Sequence, residues 1–221
     1  AFTLLSVAEN VKFNLSFNNQ LIQMRPYVEE DADQLFRIID QNRRYLGAWL
    51  PWVDQTRSTK HSVDFIREMK SQQEKGTALV CGIFRGHSLL GTTSLININS
   101  KKSCAELGYW IVEQEQGKQI VTHTSLQMLA HGFEGINLDS IGIRCVSKNK
   151  ASAAIIHKLF PCTQSAVEQQ WVNGASALTN VVTGSITQQQ WRERQSFLAQ
   201  QDDSSSFSRN TGIEGHNETP F

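Results

Sequence analysis

The most informative segment of the chain reads Ala105-Glu106-Leu107-Gly108-Tyr109-Trp110-Ile111-Val112 and, after Glu113, Gln114-Glu115-Gln116-Gly117-Lys118-Gln119-Ile120-Val121-Thr122. It is a β-type run followed by a loop with a glycine and the start of an apolar helix. Such a joint leaves several backbone N–H groups unpaired at the helix start, where they point outward together. This predicts a site for an anion such as a pyrophosphate, to which Lys118 adds a charge. A turn that needs glycine only for its conformation is the alternative.

The residues before this segment predict a mostly antiparallel sheet with two helices. Alternation of apolar and polar residues and short polar links indicate strands at 11–17, 20–24, 77–84, 88–98 and 104–112. Helical spacing of apolar residues indicates helices at 29–41 and from 58 or 59 to Gly76. Because the links between these strands are short, neighbouring strands are expected to be antiparallel.

After Gly117, the apolar residues first follow a helical spacing, and then segments with strand patterns and segments with helical patterns follow one another. The predicted elements are a helix at 120–133, strands at 140–146, 166–172 and 177–186, and helices at 149–159 and 188–200. Strand, helix, strand and helix in this order imply one parallel crossover joined to the antiparallel strands. We expect one domain over residues 1–200 and a disordered polar tail over 201–221.

Composition and charge exclude several classes of partner. Lys plus Arg equals Asp plus Glu, at 21 each, so no net field attracts nucleic acid or an anionic membrane. The four cysteines are far apart and form no C-x-x-C pair, which argues against a metal site and predicts reduced thiols. No signal-peptide pattern and no run approaching ~18 apolar residues is present, so a cytoplasmic protein is expected.

Two motifs together resemble those of the GNAT superfamily of N-acetyltransferases. The loop is similar to the pyrophosphate loop of that superfamily, Gln/Arg-x-x-Gly-x-Gly/Ala, with Gln114 and Gly117 in register. After an intervening helix and strand, Asn149-Lys150-Ala151-Ser152 is similar to its Asn-x-x-Ser/Ala. The resemblance implies an α/β (α+β) fold of GNAT type, a mostly antiparallel twisted sheet with a splayed central strand pair and flanking helices. It also implies acetyl-CoA as co-substrate, with no metal.

Within the superfamily, the chain resembles the ribosomal-protein alanine and serine N-acetyltransferases over roughly residues 20–195. The resemblance rests on Met24-Arg25-Pro26 before Glu30-Asp31-Ala32, and on Asn42-Arg43-Arg44-Tyr45-Leu46-Gly47-Ala48-Trp49-Leu50-Pro51-Trp52. It implies transfer of an acetyl group to the α-amino group of a protein N-terminus. Tyr45, Trp49 and Trp52 would then shape access of the acceptor. Aromatic residues of a core helix ended by proline are the alternative explanation for the two tryptophans.

The resemblance also implies which residues bind the cofactor. They are Trp110, Ile111, Val112, Gln116, Gly117, Lys118, Gln119, Ile120, Val121, Thr122, Asn149 and Ser152. Chemically, the departing CoA sulfur needs a proton or a hydrogen bond, and Ser152 is the candidate catalytic acid. Asn149 would bind the cofactor arm. The alternative is that Asn149 is only a helix N-cap and Ser152 a first-turn serine.

Three departures from the family pattern bear on activity. Gln119 replaces the last small residue of the loop, where its side chain would crowd the close backbone approach that glycine allows. Leu159-Phe160-Pro161 replaces the family's Leu-Gly-Phe. Gln170 stands where the family has its proposed basic glutamate, and an amide cannot accept the amine proton. Glu168, two residues earlier on the same strand face, is the candidate replacement catalytic base, with Gln170 left to bind substrate. Glu106 is a second carboxylate candidate.

The sequence therefore predicts an acetyl-CoA-dependent N-acetyltransferase that acts on a protein N-terminus such as that of a ribosomal protein. Two alternatives stay open. One is acetylation of a small amine, and the other is a CoA-binding protein of the same fold with impaired catalysis, for which Gln119 and Gln170 are the reasons. A homodimer is a further open possibility.

Overall fold

The computed structural model describes residues 11–172 and 175–196, with the side chains of 170–177 outside that description, and these residues form eight strands and six α-helices. The strands are β1 (Phe13–Phe17), β2 (Gln20–Pro26), β3 (Leu79–Arg85), β4 (Ser88–Asn99), β5 (Cys104–Ile111), β6 (Ser140–Val146), β7 (Cys162–Val172) and β8 (Ala175–Thr187). The helices are α1 (Ala32–Gln41), α2 (Arg43–Gly47), α3 (Thr59–Glu74), α4 (Ile120–Ala130), α5 (Lys150–Leu159) and α6 over 188–196. Residues 201–221, for which we predict a disordered tail, lie outside the described part.

All eight strands form one sheet in the order β1-β2-β3-β4-β5-β6-β8-β7. Every neighbouring pair is antiparallel except β5 and β6, which are parallel over only three residue pairs, Cys104↔Ser140 to Glu106↔Gly142. Beyond these pairs β5 continues along β4, and β6 continues along β8 as far as Val146↔Val181. The two central strands therefore part, and the prediction of a mostly antiparallel sheet with a splayed central pair is confirmed.

Helices cover both faces of the sheet, which follows from the alternation of side chains along each strand. On one face, Leu107 of β5 packs with Met128 of α4 and Ile156 of α5. On the other face, Trp110 packs against the cluster that contains Leu35 of α1 and Ile66 of α3. A ligand that enters the wedge between β5 and β6 thus lies between two apolar layers.

Two elements begin elsewhere than the sequence indicates. The predicted helix 29–41 opens with a 3-10 turn, Glu29–Asp31, before α1. Asp31 is the cause, since its carboxylate accepts a hydrogen bond from the Val28 N–H at 2.9 Å and pairs with Arg25 at 2.7 Å. The predicted strand 166–172 begins at Cys162, because β8 provides a pairing partner as far back as Ser185.

Candidate active site

A cavity of about 320 Å³ opens where β5 leaves β6. It is bordered by α2, β5, the loop before α4 and the start of α5. Its lining residues are Tyr45, Leu46, Trp49, Leu50, Tyr109, Trp110, Ile111, Glu115, Gln116, Gly117, Gln119, Ile120, Val121, Thr122, Asn149, Ala151, Ser152 and Ile155. The cavity thus joins the two sequence motifs, which are separated along the chain by α4 and β6.

The loop before α4 has the form of an anion-binding site. Gly117 and Gln119 both have left-handed backbone conformations, with φ of 71° and 63°. α4 begins without a side-chain cap. At its start, the His123 N–H donates a hydrogen bond to the Gln119 carbonyl at 3.1 Å. The preceding N–H groups have no partner within the helix. A Cβ placed on Gly117 would meet no atom within 4 Å, so the space next to this backbone is open, as the approach of an anion requires.

Glu115 connects this loop to strand β3 through an ion pair. Its carboxylate accepts hydrogen bonds from the guanidinium of Arg85 at 3.0 and 2.7 Å, and Lys118 lies 3.1 Å from the same carboxylate. Arg85 also donates to Gln20 at 2.7 Å. The Arg85 guanidinium holds the pKa of Glu115 below its ordinary value. Lys118 is therefore partly neutralised by Glu115, and the loop depends mainly on backbone N–H groups for its positive potential.

Replacing Glu115 by Gln should lower the free energy of unfolding at pH 7 by about 1–2 kcal/mol. The side chain of Glu115 is 9% exposed, but that of Arg85 is 37% exposed, and solvent screening keeps the loss below that of a fully buried pair. Because the pKa of Glu115 is lower in the folded state, its stabilisation is present above the unfolded pKa and is lost as the pH falls below about 4.5. Denaturant titrations of both proteins between pH 3 and 8 should converge at the acid end.

Glu29→Gln is the matched control for this substitution. Glu29 also accepts two hydrogen bonds from an arginine, Arg67, at 2.9 and 2.7 Å, but both partners are exposed. Its loss should leave stability nearly unchanged. Equal effects of the two substitutions would contradict the anchoring role of Glu115.

Gln119→Gly should raise both stability and acetyl-CoA affinity. A non-glycine residue held at φ 63° costs about 1 kcal/mol, which glycine removes, although glycine returns part of the gain through unfolded-state entropy. We expect a several-fold lower Kd for acetyl-CoA by calorimetry. Gln119→Ala separates the causes, since it removes the side chain but keeps the backbone cost. If alanine improves affinity as much as glycine, crowding by the side chain is the defect. If neither does, the loop is already in its binding conformation.

Ser152 lines the cavity and belongs to a hydrogen-bonded group. Its Oγ is 2.9 Å from the Tyr109 hydroxyl, and either atom can donate. Burial raises the pKa of Tyr109 above its ordinary value, so the phenol stays protonated at neutral pH. Burial also raises the pKa of the Cys145 thiol, against the opposing effect of its hydrogen bond with Ser152. Ser152 thus has a protonated neighbour from which it can recover a proton that it gives away.

Asn149 is the N-cap of α5. Its Oδ1 accepts a hydrogen bond from the Ser152 N–H at 3.1 Å, which places Ser152 in the first turn. The cap uses only the oxygen of the side chain. Asn149 lines the cavity, and its side-chain NH₂ group can donate a hydrogen bond to a carbonyl of the cofactor arm.

α2 lies across the mouth of the cavity and is tied to the loop before α4. Gln116 donates from Nε2 to the Tyr45 hydroxyl, and the Glu113 N–H donates to Asn42 Oδ1 at 3.3 Å. Burial raises the pKa of Tyr45. Trp49, two residues after the end of α2, also lines this cavity. Two of the three aromatic residues predicted to contact the acceptor thus line the same cavity as the loop before α4 and Ser152.

Comparison with known proteins identifies the family. The model of the acetyltransferase (GNAT) domain matches residues 22–159. The chain belongs to the GNAT acetyltransferase family. Acetyl-CoA-dependent N-acetyltransferase activity, predicted from the sequence, is confirmed at the level of this family. Acetyl-CoA is accordingly its co-substrate.

Several relatives of this GNAT protein carry ribosomal names. YdaF of Bacillus subtilis (strain 168), provisionally named a ribosomal N-acetyltransferase, is 27% identical over 175 residues, which cover 78% of this chain and 94% of YdaF. The ribosomal-protein-serine acetyltransferase of Escherichia coli (strain K12) is 23% identical over 61% of this chain and 75% of its own. The solved structure of RimL, a ribosomal L7/L12 α-N-protein acetyltransferase in complex with coenzyme A, has a TM-score of 0.68 and 19% identity, covering 79% of this chain and 98% of RimL.

Some predicted site residues of this GNAT protein lie outside the cavity wall. Val112 is buried and its N–H donates to the Leu90 carbonyl at 2.9 Å, while Lys118 pairs with Glu115. Trp52 lines a different cavity, described below. The Gln170 side chain falls outside the described part of the structure.

Glu168 lies on β7, where it takes part in a charged group at the edge of the wedge. Arg144 of β6 is 3.6 Å from Glu168 and 3.4 Å from Glu106 of β5. Glu106 is the last residue of β5 to pair with β6. The two candidate carboxylates are therefore brought together at the point where the strands part. Their catalytic roles stay predictions.

Sequence reasoning missed six residues of the cavity lining, of which Tyr109 and Glu115 make the polar contacts described above; the others are Leu46, Leu50, Ala151 and Ile155. Tyr109 follows from strand alternation, because it shares a face of β5 with Ile111, which was selected. Glu115 gives no such signal, since its partner Arg85 is at the far end of β3. Among the described residues, no group of three or more His, Cys, Asp or Glu side chains is arranged to hold a metal ion. Within the same residues, no helix combines the length and apolar character that crossing a membrane requires.

Proposed function

We propose that this GNAT protein transfers the acetyl group of acetyl-CoA to the α-amino group of a protein N-terminus, with a ribosomal protein as the first candidate. The observation that carries the proposal is the wedge between β5 and β6, whose cavity joins the uncapped start of α4 to Ser152. The ribosomal names of YdaF and of the serine acetyltransferase support a protein acceptor.

The residues of the cavity fit an extended cofactor. The backbone of the loop at Gly117 and Gln119 binds the pyrophosphate, and the free edge of β5 beyond Glu106 binds the arm. Acetyl-CoA supplies an activated acetyl thioester. Ser152 gives a proton to the departing sulfur, and Tyr109 is placed to return one to Ser152.

The acceptor amine approaches from the opposite face of β5. Side chains alternate along a strand, so Trp110 and Glu106 face away from Tyr109 and Ser152. In this proposal, Glu168 accepts the amine proton through water, with Arg144 positioning it beside Glu106. Acid and base thus act from opposite sides of the wedge, which keeps them from exchanging the proton directly.

Calorimetry with acetyl-CoA and with CoA, combined with a thiol-release assay on a panel of N-terminal peptides, tests the proposal. Peptides beginning with Ser or Ala should be acetylated, and the same peptides with a blocked N-terminus should not. A polyamine and an aminoglycoside in the same assay test the small-amine alternative. Failure to bind cofactor at millimolar concentration would overturn the proposal, and binding without turnover on any amine would favour the non-catalytic alternative.

A further inference from the structure

A second cavity, of about 430 Å³, lies on the face of β5 opposite to Ser152. It is bordered by α1, α3 and the 3-10 turn Pro51–Asp54, and its lining residues are Leu35, Ile39, Trp52, Gln55, Thr56, His61, Ser62, Phe65, Thr92 and Trp110. Trp110 also lines the cofactor cavity. The two cavities therefore meet at the strand where acetyl transfer is proposed to occur.

The second cavity is aromatic and uncharged. It is lined by the imidazole of His61 and by three larger rings, those of Trp52, Phe65 and Trp110. Trp52 and Phe65 are 37% and 38% exposed. The ring centroids of Trp52 and Trp110 are 6.1 Å apart at an interplanar angle of 57°. Among the described residues, its lining includes no Asp, Glu, Lys or Arg. A polyamine or an aminoglycoside, which needs carboxylates, is therefore a poor match, whereas a flat apolar group is a good one.

One polar group in this cavity has no partner in the described part of the chain. Thr92 is paired with the Tyr27 hydroxyl at 2.7 Å, and His61 accepts at Nδ1 from the Arg57 N–H at 3.1 Å. Ser62, by contrast, is 1% exposed and its Oγ makes no hydrogen bond within the described residues. The Oγ has less than 1 Å² of accessible surface, so a ligand atom reaches it after rotation about the Ser62 Cα–Cβ bond. A buried hydroxyl without a partner lowers stability, and the hydrogen bond gained would offset that rotation.

We propose that this cavity holds an aromatic side chain of the acceptor peptide, a Tyr or Trp within its first two residues, whose OH or NH meets Ser62. The inference rests on the proposed function, because the amine must then lie beside Trp110. Tyr and Trp match the observed chemistry since each combines a flat apolar ring with one hydrogen-bonding atom.

The test compares kcat/KM for acceptor peptides that differ only at their first two positions. Peptides with Tyr or Trp should exceed those with Leu, and those with Lys, by about tenfold or more. Phe65→Ala should bring the ratio of kcat/KM between the Tyr and Leu peptides to about one, because a ring that contacts the acceptor side chain is lost, whereas the control variant should keep the ratio. Leu21→Ala is the control, because Leu21 is 68% exposed and belongs to β2. An equal rate on all peptides would overturn the inference and leave the proposed function intact.

Ser62→Ala provides a readout that a structural role would not give. Removing an unpaired buried hydroxyl should leave the melting temperature unchanged or raise it, yet raise KM for the Tyr peptide and not for the Phe peptide. A lower melting temperature with unchanged KM would contradict the role of Ser62. If no peptide is acetylated, the proposed function fails, but the inference about this cavity can still be tested. Calorimetry with N-acetyl-tyrosinamide and with adenosine then shows whether the cavity binds an aromatic side chain. Binding of the former, lost in Phe65→Ala, supports the inference, and binding of adenosine alone overturns it.

Discussion

Ser152→Ala should lower kcat about 100-fold and leave the Kd for acetyl-CoA nearly unchanged. The substitution removes the hydroxyl that lies 2.9 Å from Tyr109, but it keeps the Ser152 N–H that Asn149 caps, so α5 should begin as before. The proton donor is thereby removed without loss of the cofactor site. Steady-state thiol release together with calorimetry measures the two effects.

Two control variants define the interpretation of Ser152→Ala. Ser125→Ala makes the same change at a buried serine of α4 that does not line the cavity, and kcat should stay unchanged. Tyr109→Phe removes the hydroxyl behind Ser152 and should cost less than Ser152→Ala, about tenfold. An unaltered kcat in Ser152→Ala would show that Ser152 is only a residue of the first helical turn.

Gly91→Ala should destabilise the protein by about 3 kcal/mol, equivalent to a melting temperature lower by roughly 6–12 °C. A Cβ at this position would lie 2.2 Å from the Trp110 carbonyl oxygen and 2.8 Å from the Ile111 Cα. Both atoms belong to the backbone, so β4 and β5 must move apart. The displaced carbonyl is at the wall between the two cavities, and we expect turnover to fall in the folded protein as well.

Gly142→Ala is the matched control in the same sheet. The nearest atom to a Cβ at Gly142 is the Gly184 carbonyl oxygen at 3.8 Å, an ordinary contact. Alanine there should change stability by less than about 0.5 kcal/mol or raise it. Thermal unfolding of the two variants, followed by turnover at a temperature where both are folded, tests the expectation. Equal melting temperatures would mean that β4 and β5 can move apart at Gly91 without loss of stability.

The order of elements, and the fact that one cavity joins the two motifs, could be predicted from the sequence because both depend on local signals. The strand, the glycine-containing loop and the helix start are contiguous, and Asn149-x-x-Ser152 begins the next helix. The ion pair between Arg85 and Glu115 could not be predicted, because it joins residues thirty positions apart that only the folded sheet brings together. The pairing of Glu168 with Arg144 likewise requires the order β6-β8-β7.

Trp49 and Trp52 show a different limit of sequence reasoning. At a spacing of three they would share one face of a continuous helix, and the sequence alone groups them as one set. In the structure, α2 ends at Gly47 and Pro51 begins a separate 3-10 turn. Trp49 therefore lines the cavity that holds the two motifs, and Trp52 lines the second cavity. The break in the backbone separates the two rings, and a proline permits such a break without specifying its direction.

The short parallel contact between β5 and β6 is a joint of the sheet at which a bound cofactor would add stability. α4 packs on β4 and β5, whereas α5 packs on β6 and β8, and three residue pairs join the two groups of strands along the backbone. A molecule that touches both the start of α4 and Ser152 of α5 spans this joint. The acetyl donor, bound as proposed, would thus add a non-covalent link across this joint, beside the apolar core that both groups of strands share. Its binding should therefore raise the free energy needed to open the joint locally.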